Sequence, residues 1–345
     1  MICQEQEGCM TEEYGSCHLC PRNCGVDRNI TKGACGVGST LQASRASLHF
    51  WEEPCISGKR GSGTIFFSGC SLKCVYCQNH EISHGSSGKE ISLERLVEMF
   101  FELEEQGADN INLVTADHFL PTVAAAIERA KLQGIGIPFL LNTSSYVNVG
   151  TLKRLEGLID IYLPDMKYIR NADAMRYSRA PGYPDIAKAA IEEMVRQQPE
   201  CIFIKEMLWR QDNATGTETE RNTCTPGMEK EKNTEDSNDE TIWLLKRGVV
   251  VRHLLLPGQL IQAKMIVNYL HKTYGDSIYI SLLSQYTPEH KVLAGDHPEI
   301  NRKVTQYEYR SLVRYASQIG VTKGFVQGDG AADEDFIPEF DGRGV

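Results

Sequence analysis

Ser68-Gly69-Cys70-Ser71-Leu72-Lys73-Cys74-Val75-Tyr76-Cys77 sets three cysteines in a C-x3-C-x2-C spacing directly after a short apolar run, Thr64-Ile65-Phe66-Phe67. A compact loop with three thiolates can wrap one face of an iron–sulfur cubane. Such a [4Fe–4S] cluster normally takes four cysteines, so three leave one iron open to a ligand that is not protein. Two other readings exist: three packing cysteines on one helical face, or a zinc site completed by Cys55. Free core cysteines seldom crowd so tightly beside a glycine at a strand end.

A second constellation precedes it. Cys17, Cys20, Cys24 and Cys35 are spaced C-x2-C-x3-C-x10-C, with Pro21, Gly25, Gly33 and Gly36 permitting tight turns. Four thiolates can close a tetrahedral zinc site or hold a complete second [4Fe–4S] cluster; reduced structural cysteines are the remaining alternative. Ten of the twelve cysteines lie before residue 80. That clustering favours metal ligands over a disulfide framework, which would spread through the fold.

These residues need elements to carry them. From residue 63 onward apolar strands alternate with amphipathic helices. Ser92 predicts a helix cap, with Leu93, Leu96, Val97 and Phe100 on one face and Gly107 as its stop. Strands are expected at 111–114, 139–141, 159–163, 248–256 and 278–283. A short extra strand is expected at 202–204, and helices near 186–196, 260–274 and 307–319. Repeated βα units predict a parallel α/β sheet, either a partial barrel of (β/α)6 type or an open doubly wound sheet. In a barrel the chemistry sits beyond the strand C-termini. Polar residues there are Thr115 and Asp117, Asn142, Asp165 and Lys167, and Arg252.

The net charge of −10 is localised. Residues 211–240 carry nine acidic and three basic side chains, and 329–345 carry six acidic and one basic. The rest is nearly neutral, so no basic field favours nucleic acid. Residues 211–240 lack aromatics and read as a disordered insertion, and 329–345 as an acidic tail. The start, polar and acidic, has neither part of a secretory signal, and no apolar run reaches membrane length. The expected compartment is the cytoplasm. The expected division is a cysteine-rich metal-binding lobe (1–60), the barrel (61–328) and the tail.

C-x3-C-x-aromatic-C after the first strand resembles the signature of the radical S-adenosylmethionine (radical SAM) superfamily. The resemblance extends over most of the chain. Residues 17–24 (CHLCPRNC), 46–58 (ASLHFWEEPCISG), 61–70 (GSGTIFFSGC), 252–258 (RHLLLPG) and 284–288 (SQYTP) look like the group named after pyruvate formate-lyase activating enzymes. It implies that the amino and carboxylate groups of S-adenosylmethionine chelate the open iron, and that one electron generates a 5′-deoxyadenosyl radical that abstracts hydrogen under anaerobic conditions. It further implies that Tyr76 lies against the adenine. Asp165 and Lys167 resemble an Asp-x-Lys segment in which Asp helps bind a monovalent cation and Lys approaches the nucleoside. Arg252 would pair with the methionyl carboxylate. Relatives often carry Gly-Gly-Glu-Pro where this chain has Thr115-Ala116-Asp117-His118, which leaves the amine-holding atoms open. The implied partners are a protein or peptide substrate, with a glycyl radical enzyme as the named version, and an electron donor such as flavodoxin or ferredoxin. A different modified peptide or small molecule, or a non-enzymatic electron carrier, are the competing functions.

Overall fold

The computed structural model describes residues 12–84, 87–207, 241–289, 292–327 and 340–345. The insertion expected at 211–240 lies outside the described residues, as does most of the acidic tail.

The sheet is built on seven parallel strands: β2 (Ser62–Phe67), β4 (Ile111–Val114), β5 (Phe139–Thr143), β6 (Ile161–Pro164), β8 (Thr241–Leu254), β9 (Tyr279–Leu283) and β10 (Gly324–Val326). Two antiparallel strands extend it beyond β2: β1 (Leu41–His49), then β3 (Lys89–Ile91). The order β10-β9-β8-β6-β5-β4-β2-β1-β3 does not return on itself, so the barrel is partial. β2 and β4 are buried at every position, as expected of parallel strands covered on both faces.

The helices follow the sequence pattern closely. The helix Leu93–Glu105 is capped by the Ser92 side chain, which accepts from the Arg95 amide at 3.1 Å. It buries Leu96, Val97, Met99, Phe100 and Leu103. Trimming a buried ring such as Phe100 to alanine costs about 3–5 kcal/mol. The helix Gln306–Gln318 opens on a reciprocal capping box between Thr305 and Glu308.

Three features depart from the sequence reading. β1 lies in the main sheet, although its residues were grouped with the cysteine lobe; its inward positions are mostly small, Ala43, Ser44 and Ala46, and give little periodic signal. β8 begins at Thr241 and pairs with β7 (Ile202–Met207) as an antiparallel ribbon at the base of the insertion. Residues 340–345 dock on β1: Ala46 N donates to Arg343 O, Gly342 N donates to Ser44 O, and the Phe340 ring meets Phe66 edge-on at 5.5 Å.

Candidate functional site

The Cys70–Cys77 loop leaves β2 through Gly69, whose φ of 86° lies in the left-handed region that glycine enters without strain. A side chain there would also press on Cys35 O and Val37, each about 3.0 Å away. Backbone bonds then fix the loop. Cys70 N donates to Cys35 O at 3.0 Å, Lys73 N to Ser178 O at 3.1 Å, and Val75 N to Tyr177 O at 2.8 Å. Ser178 ends the helix Asn171–Ser178, which the sequence reading missed because it is short and polar.

The three thiols are neighbours. Burial, then the adjacent thiolates, pushes the Cys70 thiol up; burial pushes Cys74 up; burial and then Cys74 push Cys77 up to about 11. Three crowded thiolates need a cationic centre, and a bound metal deprotonates them outright. Cys74 Sγ also lies 2.9 Å from the Ser178 hydroxyl.

Three of the predicted strand-end residues, Asp117, Asp165 and Lys167, lie close enough to act on the loop's thiols. Thr115 adopts φ 60°, a conformation usually left to glycine. It stands where relatives often carry Gly-Gly-Glu-Pro. Strain of this kind concentrates at functional sites. Asp117 is buried, with Oδ2 accepting from Ser144 Oγ at 3.3 Å and Oδ1 without a hydrogen-bond partner among the described residues. Burial pushes its carboxyl up to about 6. A buried carboxylate oxygen beside Cys70 fits an N–H donor. Lys167 Nζ bonds Asp165 Oδ2 at 2.5 Å. Burial alone would lower the Lys167 ammonium, but Asp165 and Cys74 outweigh it and raise it. A cavity beside this pair is lined by Lys167, Tyr168, His253, Gln259 and Gln262 among others.

Arg252 and Asn142 stand differently from expectation, while Tyr76 is held from within the fold. Tyr76 is buried and its hydroxyl bonds that of Tyr168 at 2.6 Å. Arg252 is committed elsewhere: its Nε is 2.9 Å from Glu53 Oε1, and its Nη2 bonds both Glu53 and Glu52. It is therefore not free to receive a methionyl carboxylate in this arrangement. Asn142 also turns to this cluster, its amide 3.4 Å from Glu52 Oε1, while Asn112 donates to the same oxygen at 2.9 Å. The Glu52–Glu53 pair escaped sequence reasoning because nearly 200 residues separate it from Arg252.

In the lobe Cys20 lies within electrostatic reach of Cys17, Cys24 and Cys35, and Arg28 within reach of Cys17 and Cys24. The Cys20 thiol is pushed up to about 11 by burial, and Cys35, Cys17 and Cys24 add to it. Arg28 is buried with Nη1 3.8 Å from Cys17 Sγ and its guanidinium over the Tyr14 and Phe119 rings. Its oxygen acceptors are the carbonyls of His118 and Gly38, and Nε has no partner among the described residues. At Cys24 burial opposes ionisation, but N–H groups of Ala34 and Val26 and the Arg28 charge outweigh it and lower the thiol. Among the described residues, those of the Cys70 loop and of the lobe included, no three Cys, His, Asp or Glu side chains converge closely enough to hold a metal ion as they stand.

Residues 64–204 match the family model described as the radical SAM superfamily. An uncharacterised protein of Methanocaldococcus jannaschii is 25% identical over 312 residues, covering 88% of this chain and 75% of that one. Similar solved structures include Streptococcus suis SuiB bound to precursor peptide SuiA (10% identity, TM-score 0.42, 76% of this chain and 47% of that one). HydG, a maturase of the [FeFe]-hydrogenase, shares 14% identity at TM-score 0.44, covering 73% of this chain and 47% of HydG. A domain of a pyruvate-formate lyase-activating enzyme from Bacteroides vulgatus shares 11% at TM-score 0.37, covering 61% of this chain and 91% of the domain. The chain spans about half the length of SuiB and of HydG. The family match opens on the strand that delivers Cys70 and takes in Cys74, Cys77, Asp117 and Lys167, so that this stretch of the chain is similar to the radical SAM superfamily.

Proposed function

We propose that Cys70, Cys74 and Cys77 hold the [4Fe–4S] cluster that the superfamily requires, and that this chain activates a glycyl radical enzyme. The loop's three thiolates after the first parallel strand, inside the family match, carry the reading. When bound, the cluster and S-adenosylmethionine supply reductive cleavage to a 5′-deoxyadenosyl radical that abstracts hydrogen.

The chain's own residues supply binding and orientation. Asp117 Oδ1 would accept an N–H of the methionyl amine, which favours the charged carboxylate. Asp165 steers Lys167 toward the nucleoside and keeps it protonated. Tyr76 serves as a fixed wall against the adenine. Glu52 and Glu53 anchor Arg252, which positions the strand end that bridges to Asp165.

The Asp-x-Lys resemblance supports a protein glycine as the target, with flavodoxin or ferredoxin as donor and the cytoplasm as compartment. Among the described residues no helix is long and apolar enough to cross a membrane.

Cys17, Cys20, Cys24 and Cys35 form a second metal centre in this reading, zinc or a complete iron–sulfur cluster. Arg28 supports it, because a buried guanidinium without a carboxylate partner calls for a counter-charge, and metal-bound thiolates provide one. Anaerobic reconstitution with S-adenosylmethionine and a reductant tests the whole reading. It should yield 5′-deoxyadenosine, with deuterium transferred from the glycine of the partner enzyme. Reductive cleavage that persists in Cys74→Ala would sink the cluster assignment. Cleavage without deuterium transfer from any glycine would sink the target while leaving the chemistry.

A further inference from the structure

The Cys74 thiol ends a line of hydroxyls that the proposed chemistry leaves unused. Ser178 Oγ is 2.9 Å from Cys74 Sγ, Tyr168 Oη is 2.6 Å from Ser178 Oγ, and Tyr76 Oη is 2.6 Å from Tyr168 Oη. All three hydroxyl residues are buried, Ser178 completely.

Each hydroxyl can donate or accept. A thiolate bound to iron can only accept. We propose that the Ser178–Tyr168–Tyr76 chain raises the reduction potential of the cluster held by Cys74, a role that rests on the cluster assignment above. With Cys74 ionised, the direction of every bond is set. Ser178 donates to the sulfur, Tyr168 donates to Ser178, and Tyr76 donates to Tyr168. Each donation polarises the next, so the sulfur sees a stronger donor than an isolated serine. Reduction brings one electron from an external reductant into the cluster and increases negative charge on its sulfurs. A donor aimed at a ligand sulfur stabilises that state more than the oxidised one, which raises the potential. No proton needs to move.

The fold makes the arrangement rigid. Lys73 N and Val75 N, on either side of Cys74, donate to the carbonyls of Ser178 and Tyr177. Arg179, the next residue, takes the left-handed φ of 49°. Arg22, between two lobe cysteines, donates to Ser71 O at 2.7 Å and also bonds Arg179 O. One guanidinium thus ties the cluster loop to the turn that carries Ser178. Ser178 and Tyr168 are positioning residues, acting through the ligand sulfur.

The test is a redox titration of the anaerobically reconstituted protein, following the electron paramagnetic resonance signal of the reduced cluster. Ser178→Ala should load the cluster and lower its midpoint. The reduced-to-oxidised ratio at a fixed potential should fall on the order of tenfold, which is 59 mV for a one-electron couple. Tyr168→Phe, which keeps the serine but removes its donor, should move the midpoint the same way by less. A loaded Ser178→Ala protein with the parent midpoint overturns the proposal. If Ser178→Ala fails to load, Tyr168→Phe decides: a lowered midpoint upholds the chain and an unchanged one removes it. Failure of the parent protein itself to bind a cubane would overturn the cluster assignment, and this proposal with it.

Discussion

The two cysteine groups are held by opposite means. The Cys70–Cys77 loop grows from a fully buried strand and is bonded by backbone to a helix end more than 90 residues away. Its shape is a product of the core. Among the described residues the lobe's own apolar cluster is Tyr14, Cys17 and Leu19, with Cys24 packed against it, while Cys35 packs into the main core. Its turns close on short-range bonds such as Cys17 N to Val26 O and Gly25 N to Cys17 O, and side-chain bonds such as Thr151 to Leu19 O tie it to the barrel. So small an apolar cluster cannot supply much folding free energy, and a metal–thiolate centre can. One group is thus shaped by the core beneath it, whereas the proposed lobe centre would add order that the lobe's own apolar cluster does not supply.

The sharpest break of this contrast is chemical. Cys70→Ala, Cys74→Ala or Cys77→Ala should each abolish S-adenosylmethionine cleavage while leaving the fold and the lobe intact, as read by 5′-deoxyadenosine assay beside circular dichroism. Cys35→Ser should do the reverse, opening residues 15–40 to proteolysis and sparing the cubane spectrum. Bleaching of that spectrum in Cys35→Ser would merge the two groups into one site.

Arg28→Met sharpens the comparison next. Over a loaded thiolate centre, loss of its buried cation should cost about 3–5 kcal/mol in denaturant unfolding. Over neutral thiols the same change should be neutral or stabilising. The outcome therefore reports the charge state of the lobe.

Asp117→Asn probes the loop side through pH. The folded carboxyl is held near 6, above its ordinary 3.8. The folded state then binds more protons than the unfolded one between about pH 4 and 6. Asp117 favours folding least above pH 6, and its penalty disappears as pH falls toward 4. In the metal-free protein, the stability gained by Asp117→Asn should grow from pH 4 to 6 and then level off, while affinity for S-adenosylmethionine drops in the reconstituted enzyme. A pH-independent difference would show that Asp117 is not the strained group described. The smallest effect is expected from deleting residues 212–239, which should leave melting temperature and cleavage nearly unchanged; loss of soluble protein would refute this.

Where the chemistry was local, the sequence showed it. Ser92 as a cap, Gly107 as a stop, and the strand entering Cys70 all act through neighbours within a few residues, and each stands where spacing placed it. The helix Leu260–Tyr274 follows its apolar period to both ends. What stayed hidden acts at long range. Glu53 meets Arg252, Ser178 meets Cys74, and Arg343 meets Ala46 only because the sheet folds them together. No periodicity encodes such a meeting. Asn171–Ser178 was invisible for another reason: eight mostly polar residues give too little amphipathic signal to separate a helix from a loop.

The ribbon of β7 and β8 has one further consequence. Met207 and Thr241 are cross-strand partners, so the chain leaves and re-enters the sheet at a single point. Everything up to Met207 carries the cysteines, Asp117 and Lys167; everything from Thr241 carries Arg252 and the last three parallel strands. Six register pairs hold the two parts side by side, and β8 also pairs with β6 of the first part and β9 of the second. The protein is thereby a natural candidate for fragment complementation. Two polypeptides divided between these positions and expressed together should reassemble into one particle on gel filtration, and a mixture that stays as separate fragments would show that the join between the halves needs an unbroken chain.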